Sequence, residues 1–129
     1  MIQRAFAVFF ALHGAVHAIG FTVAWQIGGP RGVEYSTALL NGAVEIGDAG
    51  TRLFGLIWLA AAAALVAGAA LLWRGYPRSR ELAAGLTLGS LCLCVLGLPG
   101  SEFGLATDLG LLALLAAVPD KLVARAASA

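Results

Sequence analysis

The sequence predicts an all-α membrane protein, an antiparallel four-helix transmembrane bundle with a short β-hairpin in the outer loop between its first two helices. Hydrophobic residues make up 60% of the 129 residues and charged residues only 12%, whereas soluble domains are about 25% charged. Four long apolar segments fill most of the chain, and all but one of the connectors between them are short. We therefore interpret residues 1–129 as a single integral-membrane domain.

The first apolar segment, residues 5–27, is long enough to span a bilayer, which takes about 20 residues. Gly28, Gly29 and Pro30 follow it and predict its end, because glycine and proline interrupt helices. The apolar core of a cleaved signal peptide is usually about 7–15 residues long. This segment is longer and contains two histidines, so we predict a retained helix.

The other three helices are predicted over residues 51–73, 82–98 and 102–118. Each ends where the apolar pattern meets a polar or helix-breaking stretch. Pro99 closes the third segment and Pro119 closes the fourth, since proline cannot continue a helix.

Basic residues are unevenly divided between the two sides of such a bundle. Six fall on the side of the termini and two on the other: Arg4, Arg74, Arg78, Arg80, Lys121 and Arg125 against Arg31 and Arg52. The positive-inside rule then predicts that both termini are cytoplasmic, in a plasma or inner membrane. The net charge of +1 and the absence of a Lys/Arg block give no indication of nucleic-acid binding.

The outer loop, residues 28–50, is the one long connector, and long loops in small domains usually have a function or structure of their own. Its centre is Asn41-Gly42, flanked by short β-compatible stretches. Asn-Gly favours a tight hairpin turn because both positions accept positive φ. We predict a two-stranded cap over the mouth of the bundle, which must pack on the helices or on a partner to be stable.

His13 and His17 lie four residues apart in the first apolar segment, so a helix places them on one face. Ionisable side chains within a membrane usually face the bundle interior and indicate function. Asp108 lies in the last segment, whose helix is a neighbour of the first in an up-and-down bundle. We predict that Asp108 reaches His17 and that the two form a proton-transfer pair, with His13 in support.

Two further groups are candidate ligand-binding residues. Trp58 lies inside the second predicted helix and Phe21 inside the first, and both could line a cavity with His17. Glu45, Asp48 and Arg52 surround the start of the second helix. They fit either a capped and salt-bridged helix entrance or a polar cavity mouth, and the sequence leaves both interpretations open.

These residues favour a membrane-embedded protein that binds a small apolar or lipid-like molecule and could act on it by acid–base catalysis, such as isomerisation or epoxide opening. We predict no cofactor and no metal for this activity. One alternative is a non-catalytic accessory or scaffold protein that binds a partner through its hairpin, with self-association as a further expectation. Another is a metal, haem or proton site at His13 and His17.

Overall fold

The structure, a computed structural model, describes residues 2–117 and is mainly helical. Its elements are α1 (Ile2–Ala24), β1 (Ala38–Leu39), β2 (Val44–Glu45), α2 (Gly47–Trp73), α3 (Ser79–Leu96) and α4 (Glu102–Ala117). The predicted helical class and the predicted hairpin are confirmed. The expected end of the fourth helix at residue 118 lies outside the described residues, as do Pro119, Lys121 and Arg125.

Three of the helices, α1, α2 and α3, are long and apolar enough to cross a membrane. The described part of α4 is 16 residues long, slightly below the range of about 17–25 residues of a spanning helix. Large apolar side chains such as Leu12, Leu53 and Val66 are exposed on the outside of the helices. An outer surface of this kind is stable against lipid, so the structure supports a membrane protein with three candidate spans.

α1 begins and ends three residues before the predicted range 5–27. Gln26 adopts a left-handed conformation with φ of 54°. Its N–H donates to the Val23 carbonyl, and the Ile27 N–H donates to the Thr22 carbonyl. These two bonds form a Schellman motif, which ends the helix before the glycines and proline are reached.

α2 and α3 also begin earlier than predicted, by four and three residues respectively. Gly47, the first residue of α2, and Arg78, which directly precedes α3, have positive φ angles of 65° and 67°, so the chain turns sharply where each helix begins. α3 ends at Leu96 rather than at residue 98. The Leu98–Pro99 peptide bond is cis.

The hairpin pairs β1 and β2 in antiparallel register, with Ala38 opposite Glu45. The turn between the strands covers residues 40–43 instead of the two residues predicted. Leu40 has a positive φ, as do Asn41 and Gly42, where it was expected. The backbone N–H groups of Leu40 and Asn41 donate to the carbonyls of Leu96 and Leu98. Those carbonyls lie at the end of α3, where helical partners are lacking, so the hairpin is attached to the bundle.

The bundle differs between its two ends. We call the end that carries residues 25–46 the loop end, and the end where α1 begins the terminal end. An apolar core occupies the terminal half, with fully buried Phe10, Leu65 and Leu111 at its centre. The polar side chains described next lie directly beyond this core, towards the loop end.

Candidate functional site

Four polar side chains from three helices meet in the middle of the bundle: His13 and His17 of α1, Ser90 of α3 and Asp108 of α4. We call them the polar cluster. His13 Nε2 lies 2.7 Å from Asp108 Oδ1. Ser90 Oγ lies 2.7 Å from both Asp108 Oδ2 and His17 Nε2, and 3.4 Å from His13 Nε2. Every member is at most 6% exposed.

The helices place these side chains by simple periodicity. His13 and His17 follow each other by one turn on the inner face of α1, and their rings meet edge to face at 4.7 Å between centroids. On α3, a buried stripe of small residues repeats at helical spacing and presents Ser90 to the bundle. Small residues allow close helix approach in membranes, which lets the short serine side chain reach three partners.

The structure brings together the three residues predicted to carry the chemistry, but it connects them in a different order. Asp108 contacts His13 directly, and it reaches the predicted partner His17 only through the Ser90 hydroxyl. The other ring nitrogen of His17, Nδ1, lies 3.0 Å from the His13 carbonyl oxygen. His13 is therefore the residue that the carboxylate orients, whereas His17 is oriented by the backbone and by Ser90.

The contacts of Ser90 fix how many hydrogens the polar cluster needs. A carbonyl only accepts, so the hydrogen between His17 and His13 belongs to His17 Nδ1. The Nε2 of a neutral His17 then accepts, and it uses the single hydroxyl hydrogen of Ser90. The same hydrogen cannot also be donated to Asp108. All of these contacts can be hydrogen bonds only if the cluster holds one additional proton. The reference for this count is a cluster with two neutral histidines and an ionised Asp108.

That additional proton has two positions on the same heavy atoms. When it is on Asp108, the carboxylic acid donates to Ser90 and Ser90 donates to His17. When it is on His17, the imidazolium donates to Ser90 and Ser90 donates to the carboxylate. The cluster has no net charge in either form, which limits the cost of burying it. The Ser90 hydroxyl thus connects His17 with Asp108 in both forms.

A cavity of about 340 Å³ lies between the polar cluster and the outer loop. His17 and Cys94 lie at its inner end, Trp58 and Phe54 form part of its wall, and residues 33–36 of the outer loop lie at its mouth. Most of the lining is apolar. This is the usual composition of a small-molecule site, an apolar pocket with a few polar groups.

The indole of Trp58 is held beside the catalytic candidate His17, with 5.1 Å between the ring centroids. Glycines make room for it on two sides. A Cβ at Gly20 would lie 2.5 Å from the Trp58 ring, and one at Gly97 would lie 2.9 Å from it. The glycines of α1 and of the α3 end therefore shape one wall of the cavity.

The other predicted ligand-binding residues lie elsewhere. Among the described residues, Phe21, Glu45, Asp48 and Arg52 are not part of the cavity lining. Phe21 packs against Trp25, and the Arg52 guanidinium lies 5.9 Å from the centre of the same indole. Glu45 accepts the Gly47 N–H. The predicted cap and salt bridge are not among these contacts: the N-cap residue of α2 makes no side-chain hydrogen bond, and within residues 2–117 Asp48 and Arg52 form no ion pair.

Asp48 contacts Tyr35, a residue at the mouth of the cavity. Its carboxylate accepts a 2.5 Å hydrogen bond from the Tyr35 hydroxyl. This hydrogen bond is the main reason that the pKa of Tyr35 is raised above 10.0, with partial burial and the charge of Asp48 adding to it. The raised pKa means that the contact is fully present below pH 10 and is lost as the pH rises through the higher value.

We expect a Tyr76→Phe protein, in which Tyr35 is the remaining tyrosine, to show one tyrosinate absorbance transition with a midpoint above pH 10. Asp48→Asn in the same background should move the midpoint down towards 10.0, since the carboxylate is lost. A midpoint that Asp48→Asn leaves unchanged would contradict the contact.

Ser90 is the member of the polar cluster that sequence reasoning missed. A lone serine in an apolar helix is common, because its hydroxyl can bond to its own backbone. A usable signal is its spacing from Ala83, Thr87 and Cys94, which places four small side chains on one face of α3. That pattern predicts a buried face but does not indicate which small residue meets the histidines.

No protein-family profile, curated protein or solved structure matches the chain. The chemistry of the site is therefore interpreted from its own geometry.

The residues that could hold a metal ion are His13, His17 and Asp108, whose ligand atoms lie within 4.8 Å of one another. The donor types suit zinc or a similar ion. In the present arrangement, however, the Ser90 hydroxyl lies among all three, and His13 and Asp108 are in direct hydrogen-bond contact. The set is arranged to share hydrogens, and metal binding would require Ser90 to move away.

Proposed function

We propose that this protein binds a small apolar or lipid-like molecule within its helix bundle and acts on it by acid–base catalysis. The observation that supports this proposal best is that the cavity and the polar cluster adjoin at His17. A mostly apolar cavity ends on His17, and His17 is connected through Ser90 to the buried carboxyl group of Asp108. A ligand in the cavity would meet the only titratable group of the cluster that reaches the lining.

In this proposal, the ligand exchanges protons with His17 at Nδ1, whose hydrogen bond to the His13 carbonyl opens for the exchange. The other nitrogen, Nε2, exchanges protons with Asp108 through the Ser90 hydroxyl. His13 is a positioning residue, because it holds Asp108 by a direct hydrogen bond and supplies the carbonyl that orients His17. Imidazole suits the task since it gains and loses a proton near neutral pH. Double-bond isomerisation fits this arrangement best, because it removes a proton from one carbon and returns one to another, with no net proton consumed.

The arrangement in the membrane is part of the same proposal. We infer four crossings with both termini in the cytoplasm, in a plasma or inner membrane. α4 packs against α3 and places Asp108 at the level of the histidines, which supports a position within the bilayer for α4. The distribution of arginines between the two ends supports the orientation.

The test is native mass spectrometry of gently solubilised protein, followed by identification of the bound molecule and incubation in D₂O. The wild type should retain a small molecule and incorporate deuterium into it at carbon. Asp108→Asn can reproduce the hydrogen bonds of the protonated carboxyl, so it should retain the molecule but incorporate deuterium at least about tenfold more slowly, a typical size for a general acid–base contribution.

His17→Gln is the matched variant at the cavity end of the polar cluster. It should incorporate no deuterium above background, whether or not the molecule is retained. If both variants exchange deuterium at the wild-type rate, the acid–base proposal is wrong. If the wild type holds no molecule in the cavity, the binding proposal fails as well.

A non-catalytic accessory protein is the second candidate, and the hairpin favours it. Leu40 and Val44 expose apolar side chains at the loop end. On α3, a Cβ at Gly85 or Gly89 would meet nothing within 4 Å, so this GxxxG face is open to another helix. Native mass spectra showing a protein partner or a second copy, with an empty cavity, would favour this function.

A further inference from the structure

The hydroxyl groups that line the cavity have already donated their hydrogens to the protein. A hydroxyl has one hydrogen to donate and two lone pairs that accept. Four such groups belong to the lining, and their acceptors are as follows: Tyr35 donates to Asp48, Ser36 to the Ala38 carbonyl, Thr51 to the Gly47 and Ser36 carbonyls, and Ser101 to the Cys94 carbonyl. Ser36 Oγ also accepts the Ala38 N–H, so what the four groups can offer a ligand is their remaining oxygen lone pairs.

His17 adds no free donor in the resting cluster, because both of its ring nitrogens are engaged with the His13 carbonyl and Ser90. The indole of Trp58 has no hydrogen-bond partner among the described residues, and it is the one strong side-chain donor left in the lining. The side chains of the lining therefore offer a ligand several hydrogen-bond acceptors but only one strong donor.

The charged groups around the cavity also favour a ligand that is not an anion. Among the described residues that line it, Glu34 has the one carboxyl side chain, and none is lysine or arginine. α4 begins at the mouth, but its first residue is Glu102, whose carboxylate accepts the Gly100 N–H and offsets the positive end of the helix dipole. An anion in the cavity would thus meet no lysine or arginine, and the positive charge that His17 carries in one form of the cluster is already paired with Asp108 through Ser90.

The size of the cavity sets the scale of the ligand. Its volume of about 340 Å³ is that of roughly eleven water molecules at about 30 Å³ each. A chain of eight carbons with one polar head group fills such a volume. The apolar wall accommodates the chain, and the acceptors near the mouth are left for the head group.

We propose that the cavity selects uncharged or cationic amphiphiles whose head group donates hydrogen bonds, namely alcohols and protonated amines, and excludes carboxylates and phosphates. This proposal rests on the proposed ligand-binding function and adds the class of ligand. A donor head group pairs with the lone pairs of the lining, whereas an anionic one places its own acceptors against them. The anion then loses its hydration without compensation, which is costly in an apolar site.

The experiment uses three probes with the same eight-carbon chain and a terminal bromine, which quenches tryptophan fluorescence. One is a primary alcohol, one an amine and one a carboxylate. Trp58 is made the only tryptophan by Trp25→Phe and Trp73→Phe. The matched control keeps Trp73 instead, at the terminal end of α2 far from the cavity, so that it reports probe dissolved in the surrounding detergent or lipid.

At neutral pH, the alcohol and the amine should quench Trp58 at concentrations at least about tenfold lower than the carboxylate does, which corresponds to about 1.4 kcal/mol. Glu34→Gln should weaken the amine alone, about two- to fivefold, because an exposed charge contributes little. Val33→Lys, which adds a cation to the lining, should strengthen binding of the carboxylate.

The outcomes separate the two proposals. If the carboxylate quenches Trp58 as well as the alcohol does, the ligand class is wrong, although the cavity still binds. If no probe quenches Trp58 more than it quenches Trp73, the cavity does not bind small amphiphiles and the proposed function fails with it.

Discussion

Asp108→Ala is expected to lower the free energy of unfolding by about 2–6 kcal/mol, because His13 and Ser90 each lose a buried partner at about 1–3 kcal/mol. The methyl group cannot replace either hydrogen bond, and Asp108 is 0% exposed, so water cannot enter without a structural change. Unfolding of the solubilised protein by heat or by a denaturing detergent, followed by helical circular dichroism, measures the loss.

Asp108→Asn is the matched control. An asparagine amide can donate to Ser90 through its nitrogen and accept from His13 through its oxygen, as the protonated carboxyl does. We expect it to recover most of the stability lost in the alanine variant. If asparagine were as destabilising as alanine, the form of the cluster that has its additional proton on Asp108 would be wrong.

Gly20→Ala is expected to cost about 1–3 kcal/mol, the usual penalty for overpacking, and to change the environment of Trp58. The new Cβ would lie 2.5 Å from Cγ and Cδ2 of the indole, so the ring has to move. Gly97 leaves little space on the other side. The shape of the cavity should therefore change, and the emission of Trp58 in the single-tryptophan background should shift.

Gly85→Ala provides the comparison within the same protein. A Cβ there meets nothing within 4 Å, and alanine favours helix over glycine by about 1 kcal/mol. We expect equal or slightly higher stability and unchanged Trp58 emission. Should both alanine variants behave alike, the tight packing of Gly20 against Trp58 would be contradicted.

Much of the fold was predictable because the local preferences of the residues and the placement of apolar segments in a membrane favour the same structure. The four apolar segments became four helices, and Asn41-Gly42 became a hairpin turn with positive φ at both residues. The ends of the helices were less predictable. Gln26 in a left-handed conformation ends α1, and glutamine is not a residue that signals such a motif in advance.

The candidate site was also predictable only in part. The convergence of His13, His17 and Asp108 follows from the cost of burying ionisable groups in a membrane, which directs all three to the bundle interior. Their order of contact does not follow, since it depends on the rotation of α4 and on a serine of α3. Ser90 connects the cluster because of its position in space, which single-sequence periodicity cannot supply.

The attachment of the hairpin to the end of α3 has a consequence for exchange of the cavity contents. The outer loop is held covalently by α1 and α2, and its tip is held by two backbone hydrogen bonds to Leu96 and Leu98. Lifting the tip would leave both carbonyls to be hydrated at the same moment. The hairpin tip should therefore stay in place on the end of α3 while the cavity contents exchange, since two hydrogen bonds contribute about 1–3 kcal/mol together.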